Sequence, residues 1–268
     1  MSTSEKVVIV TGGTFGIGRA ITLGLARRGH RVVAFGLQTT QVSSVAQCAI
    51  PELRQELRRQ NLQAELLEAD VSLAADVERV IKFTLNRFGR IDGLVNNAAI
   101  GPLGTILDTD EILFERIVSV NLKGPYLTSR AVLPHMIRQG GGSIVNIGSG
   151  AGWGKPNMAV YSATKGGLVA LGTATAYDFL HNRVRINTVI PGGGGIVSGM
   201  SLGRVGGDSA RLGVGAPGTA AGRPATGDDI ANVVAFLVSP EAETISGTVI
   251  DVGCFAHQGG PVPPKPAN

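Results

Sequence analysis

Aromatic side chains, cysteine and charge are all scarce in this sequence. Its 268 residues include one tryptophan, three tyrosines and two cysteines, Cys48 and Cys254, which stand far apart. Two cysteines at that separation, with no ligand spacing around them, exclude a disulfide-stapled scaffold and offer no zinc site. Two free thiols in a reducing compartment is the simpler reading. Charged residues make up 16%, with 24 Lys and Arg against 20 Asp and Glu, a formal balance of +4. The basic residues fall in short groups on apparent helix faces, such as Arg27, Arg28 and Arg31. No basic stripe forms, which argues against a nucleic-acid partner. The longest uncharged stretches are broken by Gly and Pro, so no segment reads as a transmembrane helix. The first apolar run begins at Val7, which leaves no room for a signal peptide. The expectation is a cytoplasmic protein with no membrane partner.

What the sequence has is apolar residues, 43%, and glycine, 39 residues, concentrated at the ends of apolar runs and in the region 192–222. The length is close to the upper size for one hydrophobic core. Short apolar runs at Val7–Val10, Arg31–Phe35, Ala64–Glu68, Gly93–Val95, Ser143–Ile147, Arg185–Val189 and Thr248–Val252 read as strands buried on both faces. Helical spacing separates them. Ile17, Ile21 and Leu25 share one face before Gly29. Pro51 opens a second helix with Leu53 and Leu57 inward. Val77, Ile81, Leu85 and Phe88 mark a third, stopped at Gly89. Strand and helix in single file predict an α/β fold: a Rossmann-type, doubly wound parallel sheet of about seven strands, with helices on both faces. The expected organisation is one domain over 1–253, with a glycine-rich lid at about 192–222 and a Pro-rich extension over 254–268.

The run VVIVTGGTFGIGRA, Val7 to Ala20, passes from the first strand through a glycine cluster into the first helix. A helix start carries unpaired N–H groups and a positive dipole end, so it attracts phosphate. Gly12, Gly16 and Gly18 would leave room for a pyrophosphate. An ordinary tight turn is the bland alternative.

The spacing Thr-Gly-x3-Gly-x-Gly resembles that of the short-chain dehydrogenase/reductase family, and further motifs follow in order to about residue 253: Asp70 in EADVS, Asn97 in LVNNAA, Asn121 in VSVNLKG, Ser149 in IVNIGSGAG, Tyr161 and Lys165 in YSATK, and Pro191 and Gly192 in IPGG. The resemblance is to the single-domain, 3-oxoacyl reductase-like type. It implies a dinucleotide cofactor held by Gly12, Thr14, Phe15, Gly16, Ile17, Gly18, Leu37, Asp70, Val71, Asn97, Ala98, Pro191, Gly192 and Gly194, with Tyr161 and Lys165 also touching it. It implies Asn121, Ser149, Tyr161 and Lys165 as catalytic residues, Asn121 through a bound water leading toward Lys165. It implies no metal, and a homotetramer built from segments at about 111–139, 159–181 and 228–252, where Leu168, Leu171 and Phe179 recur at helical spacing; simple core packing is the alternative for these three.

Tyr161 and Lys165 are four apart on a predicted helix and share a face. A phenol, with a pKa of about 10, is a poor base at neutral pH. A neighbouring ammonium lowers that pKa, so the pair can give a proton to a forming alkoxide or take one from an alcohol. Ser149 can donate to the same oxygen; as a loop serine it can equally make a local turn bond. Two departures from the family pattern stand out. Eleven residues separate Ser149 from Tyr161, one fewer than is common. Ile196 stands roughly where relatives place a Thr against the nicotinamide amide.

The function expected is hydride transfer between NAD(P)(H) and a carbonyl or secondary alcohol substrate. The alternative is a dinucleotide-binding regulatory or structural relative without chemistry. No Asp or Glu lies between Arg31 and Pro51, so nothing there repels a 2′-phosphate, and NADP(H) is favoured over NAD(H). Phe15 and Leu37 stand where NADP-binding relatives carry basic residues, so NAD(H) stays open. Gln38, Thr39 and Thr40 can bond a phosphate or form a polar turn. Trp153 is a candidate pocket residue or a packing residue. Met200, Leu202, Phe255 and His257 are further pocket candidates.

Overall fold

The computed structural model describes residues 5–37, 49–192, 196, 201–202, 208–211 and 219–253. Gly194, Gln38, Thr39, Thr40, Met200, Phe255, His257, both cysteines, most of the expected lid and the Pro-rich tail lie outside the described residues.

Seven strands, β1 (Val7–Thr11), β2 (Arg31–Gly36), β3 (Glu65–Glu68), β4 (Gly93–Asn96), β5 (Gly142–Ile147), β6 (Val184–Pro191) and β7 (Val249–Val252), form one sheet in the order β3-β2-β1-β4-β5-β6-β7. Every pairing is parallel. The helices are α1 (Gly16–Arg27), α2 (Ala49–Arg59), α3 (Ala74–Phe88), α4 (Glu111–Val118), α5 (Gly124–Arg138), α6 (Ala159–Asp178) and α7 (Gly227–Val238).

The apolar runs are continuous because the strands from β3 to β6 across the sheet each feed two cores, whereas the edge strand β7 adds Ile250 and Val252 to one. Val8 and Val10 of β1 and Val32 and Ala34 of β2 face a cluster completed by Leu25 of α1, Leu53 of α2 and Val234 of α7. Their neighbours Ile9, Val33 and Phe35 face the opposite cluster with Val77 and Ile81 of α3, Met136 of α5 and Ala176 of α6. Full burial of a side chain the size of Phe35 stabilises by about 2–3 kcal/mol. Small residues let α1 and α7 meet closely: a Cβ on Gly24 would lie 2.8 Å from that of Ala231, and one on Gly227 would lie 2.6 Å from that of Ala20.

Two boundaries differ from the sequence reading for physical reasons. β6 runs through Pro191, where a strand end at Val189 was expected. Pairing with β5 ends at Val189, whereas pairing with β7 continues to Pro191 opposite Val252. β6 is an edge there, so the missing proline N–H breaks no central ladder. α2 starts at Ala49, not Pro51; a proline within the first turn lacks only an N–H that has no helical partner anyway.

The strand order reverses at β1, which lies between β2 and β4. In such sheets ligands bind beyond the carboxyl ends of the strands at the switch point. Gly12, Leu37, Asn97, Ser149 and Gly192 all follow strands at that edge.

Candidate functional site

Between β1 and α1 the chain turns through Gly12 (φ 58°) and Gly16 (φ 54°), both in the left-handed region that disfavours side chains. Gly18 is needed for another reason: a Cβ there would collide with the Gly12 carbonyl oxygen and the Asn97 amide. The loop is therefore glycine-rich before any ligand is considered: the tight turn that the sequence left as an alternative is present, and room for a pyrophosphate is compatible with it. Thr14 is buried and Phe15 takes the N-cap position of α1 with no side-chain capping bond. No acidic residue stands in the first turn, where Gly16, Ile17 and Gly18 lie. A helix start left uncapped by side chains and free of carboxylates fits a phosphate group.

The loop is tied to β4. Thr11 Oγ1 accepts from the N–H groups of Asn97 and Ala98 at 3.0 Å each. Asn97 Nδ2 donates to the carbonyl oxygens of Thr11 and Gly12, again at 3.0 Å each. The Asn97 amide thus holds the glycine loop. Thr11, within the conspicuous VVIVTGG run, is a residue that sequence reasoning passed over.

Asn121 does not sit in a regular helix. One π turn, Ser119–Lys123, joins α4 to α5, and Asn121 is fully buried in it. Its Oδ1 accepts from the Ile100 N–H at 2.9 Å. Its Nδ2 donates to the Ile100 carbonyl at 2.8 Å and to Thr164 Oγ1 at 3.1 Å. Thr164 in turn donates to the Tyr161 carbonyl at 2.7 Å. This chain of bonds couples the segment after β4 to α6, the helix that carries Tyr161 and Lys165. π turns inside helices occur often at functional sites.

Tyr161 and Lys165 are both buried, 6% and 2% exposed, one turn apart on α6. Lys165 Nζ stands 5.8 Å from the centre of the Tyr161 ring and donates to the Ile147 carbonyl at 2.7 Å. Burial pushes the Lys165 ammonium down to about 8. Ser149 follows β5, and its Oγ accepts from the Ala151 N–H at 3.2 Å. The local turn bond therefore exists, yet an accepting hydroxyl keeps its own proton to donate. Met158 and Ala151 pack with Tyr161, and Trp153 is half-exposed just beyond.

Leu37 follows β2 and is 38% exposed. Asp70 and Val71 follow β3. Asp70 Oδ1 accepts from the backbone and hydroxyl of Ser72 at 2.8 and 2.6 Å, and Oδ2 accepts from Arg116 Nη2 at 3.1 Å. Burial alone would raise the Asp70 carboxyl; those bonds outweigh it and hold the group below its ordinary value. At the far side Gly192 N–H donates to the Val252 carbonyl at 2.8 Å, which fixes the Pro191–Gly192 exit from β6. Ile196 packs against the first core cluster, and Leu202 is half-buried.

The fold and this edge define a Rossmann-type α/β protein with a glycine-rich helix start at its switch point and a Tyr–Lys pair beside it. A family model described as short chain dehydrogenase matches residues 6–201. The chain belongs to that family of oxidoreductases. It is 36% identical over 267 residues to 2-(S)-hydroxypropyl-CoM dehydrogenase 3 of Xanthobacter autotrophicus, covering 96% of each chain. It is 32% identical over 266 residues to a 3-oxoacyl-[acyl-carrier-protein] reductase of Staphylococcus epidermidis, covering 92% of this chain and 97% of that one. A crystal structure from Burkholderia xenovorans, provisionally assigned as a short-chain dehydrogenase/reductase, superposes with a TM-score of 0.78 at 30% identity, over 92% of this chain and 94% of that one.

Proposed function

We propose that this protein moves a hydride between a nicotinamide dinucleotide and a secondary alcohol or ketone, with Tyr161 handling the proton. The observation that carries this reading is the burial of Tyr161 and Lys165 one turn apart, at the sheet edge where Ser149 leaves β5. The uncapped start of α1, with Gly12, Thr14, Phe15, Gly16, Ile17 and Gly18, is the place for the pyrophosphate. Leu37, Asp70 and Val71 would border the adenosine, and Asn97, Ala98, Pro191, Gly192, Gly194 and Lys165 the nicotinamide half. The nicotinamide, when bound, supplies or accepts the hydride.

The protein's own residues handle charge and the proton. In reduction, the Tyr161 hydroxyl gives its proton to the substrate oxygen as negative charge develops there; in oxidation, the phenolate takes the alcohol proton. Below about pH 8 Lys165 is charged, and a cation over the ring favours the phenolate. The Ser149 hydroxyl donates to the same substrate oxygen and stabilises its developing charge. Asn121 holds the π turn against α6, and we assign the path that resupplies the proton to Lys165 and that turn.

NADP(H) is preferred over NAD(H) in this reading, because no carboxylate stands on Arg31–Leu37 to repel a 2′-phosphate. The names of both relatives describe interconversion of a hydroxyl and a carbonyl, which supports that substrate class. A homotetramer is supported by Ile112, Phe114, Tyr126, Tyr177, Leu180 and Phe236, all exposed on the segments concerned. Leu168 is not part of that argument, because it is buried in the protein interior. Among the described residues no helix is long and apolar enough to cross a membrane; a cytoplasmic location and a single domain ending near residue 253 belong to the same proposal.

The test is nicotinamide absorbance at both dinucleotides with ethyl acetoacetate, acetophenone, cyclohexanone and 2-butanone, and with the matching alcohols. Tyr161→Phe should lower kcat by roughly a hundredfold to ten-thousandfold with the fold kept. Near-normal turnover in that variant, or no turnover of any substrate by the parent, would overturn the reading.

A further inference from the structure

The eleven residues between Ser149 and Tyr161 must reverse the chain from β5 onto α6. They begin with a tight 3-10 turn, Gly150–Trp153. The Gly152 N–H donates to the Ser149 carbonyl at 2.9 Å, and the Gly154 N–H donates to the Ala151 carbonyl at 2.9 Å. With the Ala151 bond to Ser149 Oγ, the turn and the serine form one rigid unit.

That unit rests directly on the backbone of α6. A Cβ on Gly152 would lie 3.2 Å from both the Gly166 nitrogen and the Lys165 carbonyl carbon. A Cβ on Gly166 would lie 2.9 Å from the Gly152 carbonyl oxygen, closer than real Cβ atoms approach backbone. On the other side of Ser149, Lys165 Nζ holds the Ile147 carbonyl at 2.7 Å. Ser149 is thus held between two contacts, both made by consecutive residues of the helix that carries Tyr161. Glycine is a poorer helix former than alanine, so the adjacent pair Gly166 and Gly167 in mid-helix calls for a reason. At Gly167 packing supplies none, since a Cβ there would meet the Leu122 methyl carbons at an ordinary 3.5 Å. At Gly166 the contact with Gly152 supplies it.

We propose that Gly152 and Gly166 are positioning residues that set the Ser149 hydroxyl relative to Tyr161, an inference that rests on the function proposed above. If either glycine carries a methyl group, something has to move. α6 is anchored along its length by buried Tyr161, Lys165 and Leu168, whereas in the turn only Ala151 is buried and Trp153 and Gly154 are exposed. The turn moves, and Ser149 moves with it.

The experiment compares Gly152→Ala, Gly166→Ala and Gly167→Ala, each alone and combined with Ser149→Ala, on the ketones named above. The expected result is a fall in kcat of about tenfold or more for the first two, with little change in KM, in the dinucleotide Kd by fluorescence titration, or in Tm. Gly167→Ala should match the parent. In the Ser149→Ala background Gly166→Ala should cost less than about twofold, because the group it misplaces is gone. Full activity in Gly166→Ala, or an equal loss with and without Ser149, would overturn the proposal while Ser149→Ala and Tyr161→Phe still report on the reaction itself. Crystal structures of Gly152→Ala, Gly166→Ala and Gly167→Ala decide the matter without turnover: the separation of Ser149 Oγ from Tyr161 Oη should change in the first two only, and an unchanged separation in both refutes the inference.

Discussion

Lys165 donates its buried ammonium to the carbonyl oxygen of Ile147, 18 positions earlier, at 2.7 Å. Burial pushes that ammonium from 10.5 down to about 8, a gap that corresponds to ~3 kcal/mol. The unfolded chain keeps the ordinary value. Between about pH 8 and 10.5 the unfolded state therefore holds more protons and stability rises with pH; below about 8 the native state carries the full cost of the buried charge.

Lys165→Met should accordingly stabilise the apoprotein at pH 7 while impairing turnover. The Ile147 carbonyl loses a partner, which offsets about 1 kcal/mol, so a net gain on the order of 1–2 kcal/mol is expected. Urea unfolding at pH 7 and pH 10 measures it, and the gain should shrink at the higher pH. A variant less stable than the parent at both values contradicts the assignment of a costly buried ammonium.

Asn121→Ala strips the Ile100 N–H and carbonyl and the Thr164 hydroxyl of a partner inside the protein. Buried groups left unpaired cost about 1–3 kcal/mol each at most sites. A loss of roughly 2–4 kcal/mol in urea is expected, with faster amide hydrogen exchange at Ile100 and along Ser119–Lys123. Unchanged exchange there would mean that the π turn is held by packing alone.

Gly16→Val places a β-branched side chain at φ 54°, so the loop must distort. Dinucleotide binding, read by quenching of the Trp153 fluorescence or by calorimetry, should weaken at least about tenfold while far-UV circular dichroism stays that of the parent. Parent-like affinity for both dinucleotides would remove the loop from the binding site.

Leu37→Asp introduces a carboxylate just past β2, where it would repel a 2′-phosphate and accept bonds from ribose hydroxyls. The ratio of dissociation constants should shift toward NAD(H) by about tenfold or more. A static ratio would place the adenosine ribose elsewhere.

The inner strands β1, β2, β4, β5 and β6 were legible in the sequence because they are largely buried on both faces, and continuous apolar runs have few other stable arrangements; the edge strands β3 and β7 are only partly buried. Their parallel order followed from the alternation with helices, and the glycine-rich helix start from its position after β1. The family resemblance, confirmed by the family model, rested on motifs spread along the whole chain.

What the sequence could not resolve lies in contacts between distant residues. Helical spacing left Leu168 open as an interface residue or a core residue, because spacing alone does not say which way a face points; at 1% exposed it belongs to the core. The π turn at Asn121 exists because Ile100 and Thr164, 21 and 43 positions away, bind its side chain. Gly18 reads as a phosphate-loop glycine, yet its first constraint is the Gly12 carbonyl folded back over it. The strands, their parallel order and the glycine-rich helix start could be read from the chain because burial periodicity and glycine placement act locally along it. The side chains that hold the carboxyl edge of the sheet together could not, because a buried hydrogen bond or a backbone contact depends on where two remote segments meet.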